Sequence, residues 1–164
     1  MDQKPLFYEK QKFNQRWLWT ILILANVAGV YAFFKEYQKG TLAWEFFVGH
    51  LVFIILFISL FYFMSLETTI TKDEITIKYF PFHLKQRTYP FTALKDLEVV
   101  KYNPISDYGG WGVRLSRNGK AFNVKGEFGL KLYFENRKPL LIGTQKPEEL
   151  KKIVASLEVS KQQS

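Results

Sequence analysis

The residues best suited to chemistry are few. His50 and His83 are the only histidines in 164 residues, and there is no cysteine. A protein zinc site takes about three or four nitrogen, sulfur or carboxylate ligands. Two histidines on separate segments do not meet that need, and no Ser-His-Asp arrangement is suggested around either one. No metal, cofactor or thiol reaction is expected, and the chain reads as non-enzymatic. Gly109-Gly-Trp-Gly112 has the glycine density of a phosphate cradle. A cradle, however, opens onto a helix N-terminus or an anion nest, whereas alternating strand residues follow this cluster. It therefore reads as a bend into a strand, with Trp111 filling the core. Lys78, Lys85 and Arg87 stand on neighbouring strand segments either side of Pro81, placed to contact anionic lipid. Tyr79, Tyr102, Tyr108 and Tyr133 interleave with cations, but strand composition accounts for them, and no nucleic-acid partner is expected.

What positions these residues begins with Phe46 to Leu66, twenty-one residues without a formal charge. A helix needs about twenty such residues to cross a bilayer core. Fifteen of them are Leu, Ile, Phe or Val, each favouring lipid by about 0.3 to 0.6 kcal/mol. Upstream, Trp17 to Phe34 gives eighteen more uncharged residues. That run exceeds the apolar core of a signal peptide, and a stronger apolar segment follows at once, so a helical hairpin is expected. Trp17, Trp19, Tyr31, Tyr37 and Trp44 mark the interfaces. Lys4, Lys10, Lys12 and Arg16 precede the hairpin, against Lys35 and Lys39 in its connection. Cationic flanks stay on the cytoplasmic side, so both termini are expected there. Asn26 and Ser59 lie at matching depth in the two spans, and an interhelical hydrogen bond between them is expected. His50, near the outer end of its span, reads as wet or hydrogen-bonded.

After Met64 the hydrophobic period changes to two. Thr68–Lys72 and Glu74–Phe80 alternate around a turn at Lys72–Asp73, with Ile70, Ile75, Ile77 and Tyr79 inward. Short strands follow at 86–91, 97–102, 111–117, 120–124, 130–135 and 140–142, with a single helical turn at Thr92–Lys95. Asn103–Gly110 reads as a loop, and Asn118-Gly119 as a tight hairpin turn. Trp111, Val113 and Leu115 are expected on the buried face of their strand. Pro147 opens a helix whose Leu150, Ile153, Val154 and Leu157 form one apolar stripe.

The fold class is therefore membrane α plus mainly β. It comprises a tail over 1–16, a hairpin over 17–66 (spans about 17–35 and 46–66), a β domain over 67–158, and a tail over 159–164. The β domain reads as about seven antiparallel strands curled into a barrel or sandwich, capped by the final helix. The stretches GGWGVRLSRNGKAFNVKGEFGLKL (Gly109 to Leu132) and LLIGTQKPEEL (Leu140 to Leu150), behind a two-span hairpin, resemble small bacterial membrane proteins that carry a pleckstrin-homology-like domain. The resemblance implies a PH-like barrel at the inner membrane and brings no single activity with it. Net charge is +8, of which the residues from Glu67 onward carry seventeen Lys/Arg against eleven Asp/Glu. The expected function is an interaction module that binds a protein partner or a second copy. The alternative is a sensor of anionic lipid, and an enzyme with no recognisable site comes last.

Overall fold

The computed structural model describes residues 4–40 and 44–162. Its elements are β1 (Phe7–Lys12), α1 (Arg16–Gln38), α2 (Trp44–Phe63), β2 (Ser65–Ile70), β3 (Glu74–Phe80), β4 (Arg87–Pro90), β5 (Asp96–Lys101), α3 (Pro104–Tyr108), β6 (Gly112–Ser116), β7 (Gly119–Asn123), β8 (Phe128–Tyr133), β9 (Leu140–Thr144) and α4 (Pro147–Gln162). They form two compact units, Phe13–Phe63, and Met1–Lys12 together with Met64–Ser164.

The first unit is the helical hairpin. α1 and α2 are long and apolar enough to cross a membrane, and no residue of either helix is buried against protein. Apolar surface left open over that length is what lipid covers. Aromatic contacts hold the hairpin: Phe33 meets Phe47 at 4.8 Å, and Phe13 meets Phe61 edge-on at 5.9 Å. The expected Asn26–Ser59 bond is absent. The Asn26 amide instead donates to the Leu22 carbonyl one turn back in its own helix, at 2.6 Å. His50 is half-buried, with its Nε2 buried without a partner, and a Cβ on Gly29 would stand 3.0 Å from that atom. The second span also ends earlier than expected. Ser65 and Leu66 belong to β2, where Leu66 is fully buried.

The second unit is a two-sheet sandwich with no closed barrel. One sheet runs β1-β2-β3-β4, all antiparallel, and the other β5-β8-β9-β7-β6. The expected N-terminal tail proves to be partly strand, with Phe7 opposite Ile70 and Lys12 opposite Ser65. Its inward positions are Phe7, Glu9 and Gln11, and two polar inward residues conceal the apolar alternation that marks a strand. Those side chains cross to the second sheet. Thr144 Oγ1 donates to Glu9 at 2.7 Å, the Gln145 amide donates to the same carboxylate at 2.8 Å, and Gln11 Nε2 donates to the Gly143 carbonyl at 2.6 Å. Between the sheets lie Leu66, Ile70, Ile75, Ile77, Tyr79 and Phe122, all nearly inaccessible.

The second sheet departs from the all-antiparallel expectation. β7 and β9 are parallel, Ala121 opposite Leu141, because β9 inserts between β7 and its own hairpin partner β8. This central position explains why all five residues of β9 are buried. α4 packs on β5 and β8 through a face that buries Leu150 and Val154. Part of the expected loop at 103–110 is the short helix α3. Asn103 caps it by accepting from the Ile105 and Ser106 amides, Pro104 opens it, and Gly109 closes it at φ +73°. β6 is an edge strand, so the expected inward alternation fails there: Leu115 is 81% exposed and Val113 half-buried. The hairpin loop is Arg117-Asn118, with Gly119 already in β7.

Candidate functional site

β3 leaves the sheet at Phe80 and returns as β4 at Arg87, and the turn between them carries His83. The His83 amide donates to the Tyr79 carbonyl at 2.7 Å, which folds the turn back over the sandwich. The imidazole is 5% exposed, stands edge-on to the Phe122 ring at 4.8 Å, and leaves its Nδ1 buried without a partner. Lys120 Nζ lies over the same Phe122 ring, 4.8 Å from its centre. Arg87 approaches from β4: it is the register partner of Ile77, so it starts on the inward-facing side of the sheet edge. The β3–β4 turn and β7 thus bring His83 and Lys120 together at Phe122, with Arg87 near enough for its charge to act on both.

The electrostatics are those of like charges held together. Burial, then Arg87, then Lys120 push the His83 imidazole below its ordinary range. Burial and Arg87 likewise push the Lys120 ammonium down. Ion pairs occupy Lys10, Lys101, Lys146 and Lys151 in this unit. Among the described residues no carboxylate pairs with His83, Arg87 or Lys120. Phe82 and Leu84, either side of His83, are 56% and 77% exposed.

The sequence-predicted lipid contact is therefore divided. Arg87, at the start of β4, acts electrostatically on His83 and Lys120, and Lys85 is exposed on the intervening turn. Lys78 belongs elsewhere: it alternates with inward Ile77 and Tyr79 and sits opposite Glu67, which Lys10 engages at 2.6 Å. Sequence spacing missed Lys120, because β7 reaches the turn only through the packing of the two sheets. Gly109–Gly112 forms no cradle. Gly109 ends α3, and the Trp111 indole donates to the Gly126 carbonyl at 3.4 Å from a half-buried position rather than from the core centre.

At the end of β7, Asn123 ties three segments together. Its Oδ1 accepts from the Gly112 amide at 2.8 Å, its Nδ2 donates to Tyr102 Oη at 3.0 Å, and its backbone carbonyl accepts from Tyr79 Oη at 3.2 Å. Burial pushes the Tyr102 phenol up to about 12, and pushes Tyr79 up as well. Both stay protonated near neutrality and act as structural ties. On the surface, Ile105 of α3 and Leu115 of β6 line one shallow groove with Tyr108 and Ser116.

No protein-family model matches this chain, and no curated protein does. Its chemistry therefore rests on its own geometry.

Proposed function

We propose that this chain is a non-enzymatic interaction module. Its hairpin anchors it in an inner membrane with both termini cytoplasmic, and its sandwich, a PH-like domain, offers an open sheet edge to an extended segment of a protein partner. The observation that carries this reading is β6, an edge strand with unpaired backbone groups beside exposed Leu115 and Ile105, 81% and 66% accessible. Backbone pairing would supply affinity there, and the apolar pair would select a partner strand with an apolar residue at the facing position. The test is purification of the full chain in mild detergent, with crosslinking and mass measurement, beside the double variant Ile105→Glu, Leu115→Glu. A defined complex that the double variant loses supports the reading, and a second copy as the partner is one such outcome. A complex that the double variant retains, or a chain that runs alone at its own mass, refutes it.

A second reading has its own support. The β domain is cationic, and Lys85 and Arg87 follow exposed Phe82 and Leu84 along the turn from β3 into β4. Attraction to anionic lipid would follow at about 1 kcal/mol per well-placed cation.

A further inference from the structure

We propose that a cleft between the β4–β5 connection and the β8–β9 turn binds a carboxylate carried on a protein partner, with Arg137 as its principal contact. Tyr89 in β4 and Phe134 just past β8 bring their ring centres to 6.0 Å. The Arg137 guanidinium lies on this pair, 3.5 Å from the Phe134 ring centre and 5.5 Å from that of Tyr89. Stacking satisfies the face of a guanidinium and fixes its plane, but leaves the N–H groups around its edge to be used. The facing wall is pinned as well. The Lys95 amide donates to the Tyr133 carbonyl at 2.9 Å, and the Leu94 amide closes the turn Phe91–Ala93 by donating to the Phe91 carbonyl at 3.1 Å. Between the walls is an open cleft of about 420 Å³, whose lining includes Thr92, Lys95, Phe134, Glu135, Asn136 and Arg137. That volume is within the range of ligand sites.

The charges choose the ligand. Among the described residues neither Lys95 nor Arg137 takes part in an ion pair. Against these two cations the cleft holds one carboxylate, Glu135, so it carries one net positive charge. A single monoanion matches that charge, whereas a phosphate dianion would leave one negative charge unmatched. The guanidinium fork meets both oxygens of a carboxylate in its own plane, and Lys95 adds a point charge. The Thr92 hydroxyl and the Asn136 amide supply neutral donors. Because the rings already order Arg137, little side-chain freedom is lost on binding. A stacked arginine beside an aromatic wall is also the kind of anchor that carries the energy of protein interfaces. β5 and β8 lie at the end of their sheet opposite to β6, so the inference stands independently of the partner strand proposed there.

The full chain in neutral maltoside micelles is titrated at constant ionic strength with the blocked tripeptide acetyl-Gly-Glu-Gly-amide. The Arg137 Nε–H and Asn136 amide resonances are followed by NMR. The titration is repeated with the Gln counterpart of the peptide, with acetate and with inorganic phosphate. The expected result is a saturable shift of both signals with the Glu peptide and none with its Gln counterpart. Arg137→Lys keeps the charge but loses the fork, and read at Asn136 it should weaken binding about tenfold, as should Lys95→Gln. Both positions are exposed, so neither change disturbs the core. Lys78→Gln, in the first sheet opposite Glu67, should stay near wild type. Unmoved signals with the Glu peptide, an equal response to the Gln peptide, phosphate binding as tight as that of the Glu peptide, or an equal loss in Lys78→Gln would each overturn the carboxylate site. Acetate binding as tight as that of the peptide would overturn a protein partner as the carrier.

Discussion

Replacing Gly119 with alanine would put a Cβ 2.2 Å from the Pro139 carbonyl oxygen, at a φ of +114° that L side chains avoid. That carbonyl accepts the Lys120 amide at 3.0 Å, so relief by retreat breaks the start of the β7–β9 pairing. Gly119→Ala is expected to cost about 3 kcal/mol. Thermal unfolding in detergent should then fall by about 10 °C or more, and an unchanged midpoint would refute the close approach. His83 gives a pH prediction. Its native pKa is lowered, so below about 6.5 the unfolded imidazole binds a proton that the folded one resists. The stability this group leaves intact above that pH is lost progressively as pH falls toward the native value. Unfolding midpoints at about pH 7.5 and about pH 5.5 should therefore diverge less in His83→Gln than in the parent chain, and equal divergence would count against the shift. Sequence made Gly119 legible as part of a turn, but not the Pro139 carbonyl that makes glycine obligatory. It made His83 legible only as a lone imidazole, because the cations beside it arrive from β4 and β7.

At the scale of elements, β1 is the part that sequence hid and structure makes indispensable. Phe7→Ala empties a site in the sandwich core and should cost about 3 to 5 kcal/mol. Glu9→Ala strands the Thr144 hydroxyl and the Gln145 amide, at about 1 to 3 kcal/mol. Lys10→Ala breaks only a solvent-screened pair with Glu67 and should cost under about 1 kcal/mol. That order, measured as unfolding midpoints, fails if the segment is a free tail, since all three would then be silent. β1 escaped notice because its inward positions are Phe, Glu and Gln, which carry no apolar period. α3 was readable in principle from Asn103-Pro104 and the Asp107 carboxylate that accepts back from the Asn103 amide at 2.8 Å. The density of turn formers obscured it. β2, β3, β8 and α4 were legible because their inward residues are apolar at the right period. The parallel β7–β9 pair was not, because strand order is a long-range property. In the hairpin, Gly29→Leu would drive a side chain into His50 and should weaken helix packing, read as a lower unfolding midpoint in detergent.

For the whole molecule, the decisive fact is that both helices lie in the chain between two neighbouring strands. β1 precedes α1, β2 follows α2, and the two strands pair residue by residue from Phe7–Ile70 to Lys12–Ser65. If the hairpin spans a bilayer, strand pairing requires the segments before and after it to share one side. The count of four cations before the hairpin and two in its connection is the argument for the cytoplasmic side in the reading proposed above. The two arguments are independent, since one is hydrogen bonding and the other is the energetics of insertion. With no native cysteine, single replacements can test both. Under impermeant maleimide, Lys39→Cys in the connection should label in intact cells, whereas Lys4→Cys and Lys151→Cys should label only after lysis. Labelling of Lys4→Cys and Lys151→Cys from opposite sides would break the β1–β2 pairing as a description of the protein in its membrane. Labelling of both from outside would leave the sheet intact and reverse the orientation. Extraction of the intact chain by alkaline carbonate would remove the premise of spanning altogether, because helices of 23 and 20 residues with no buried face have nothing else to hold them there.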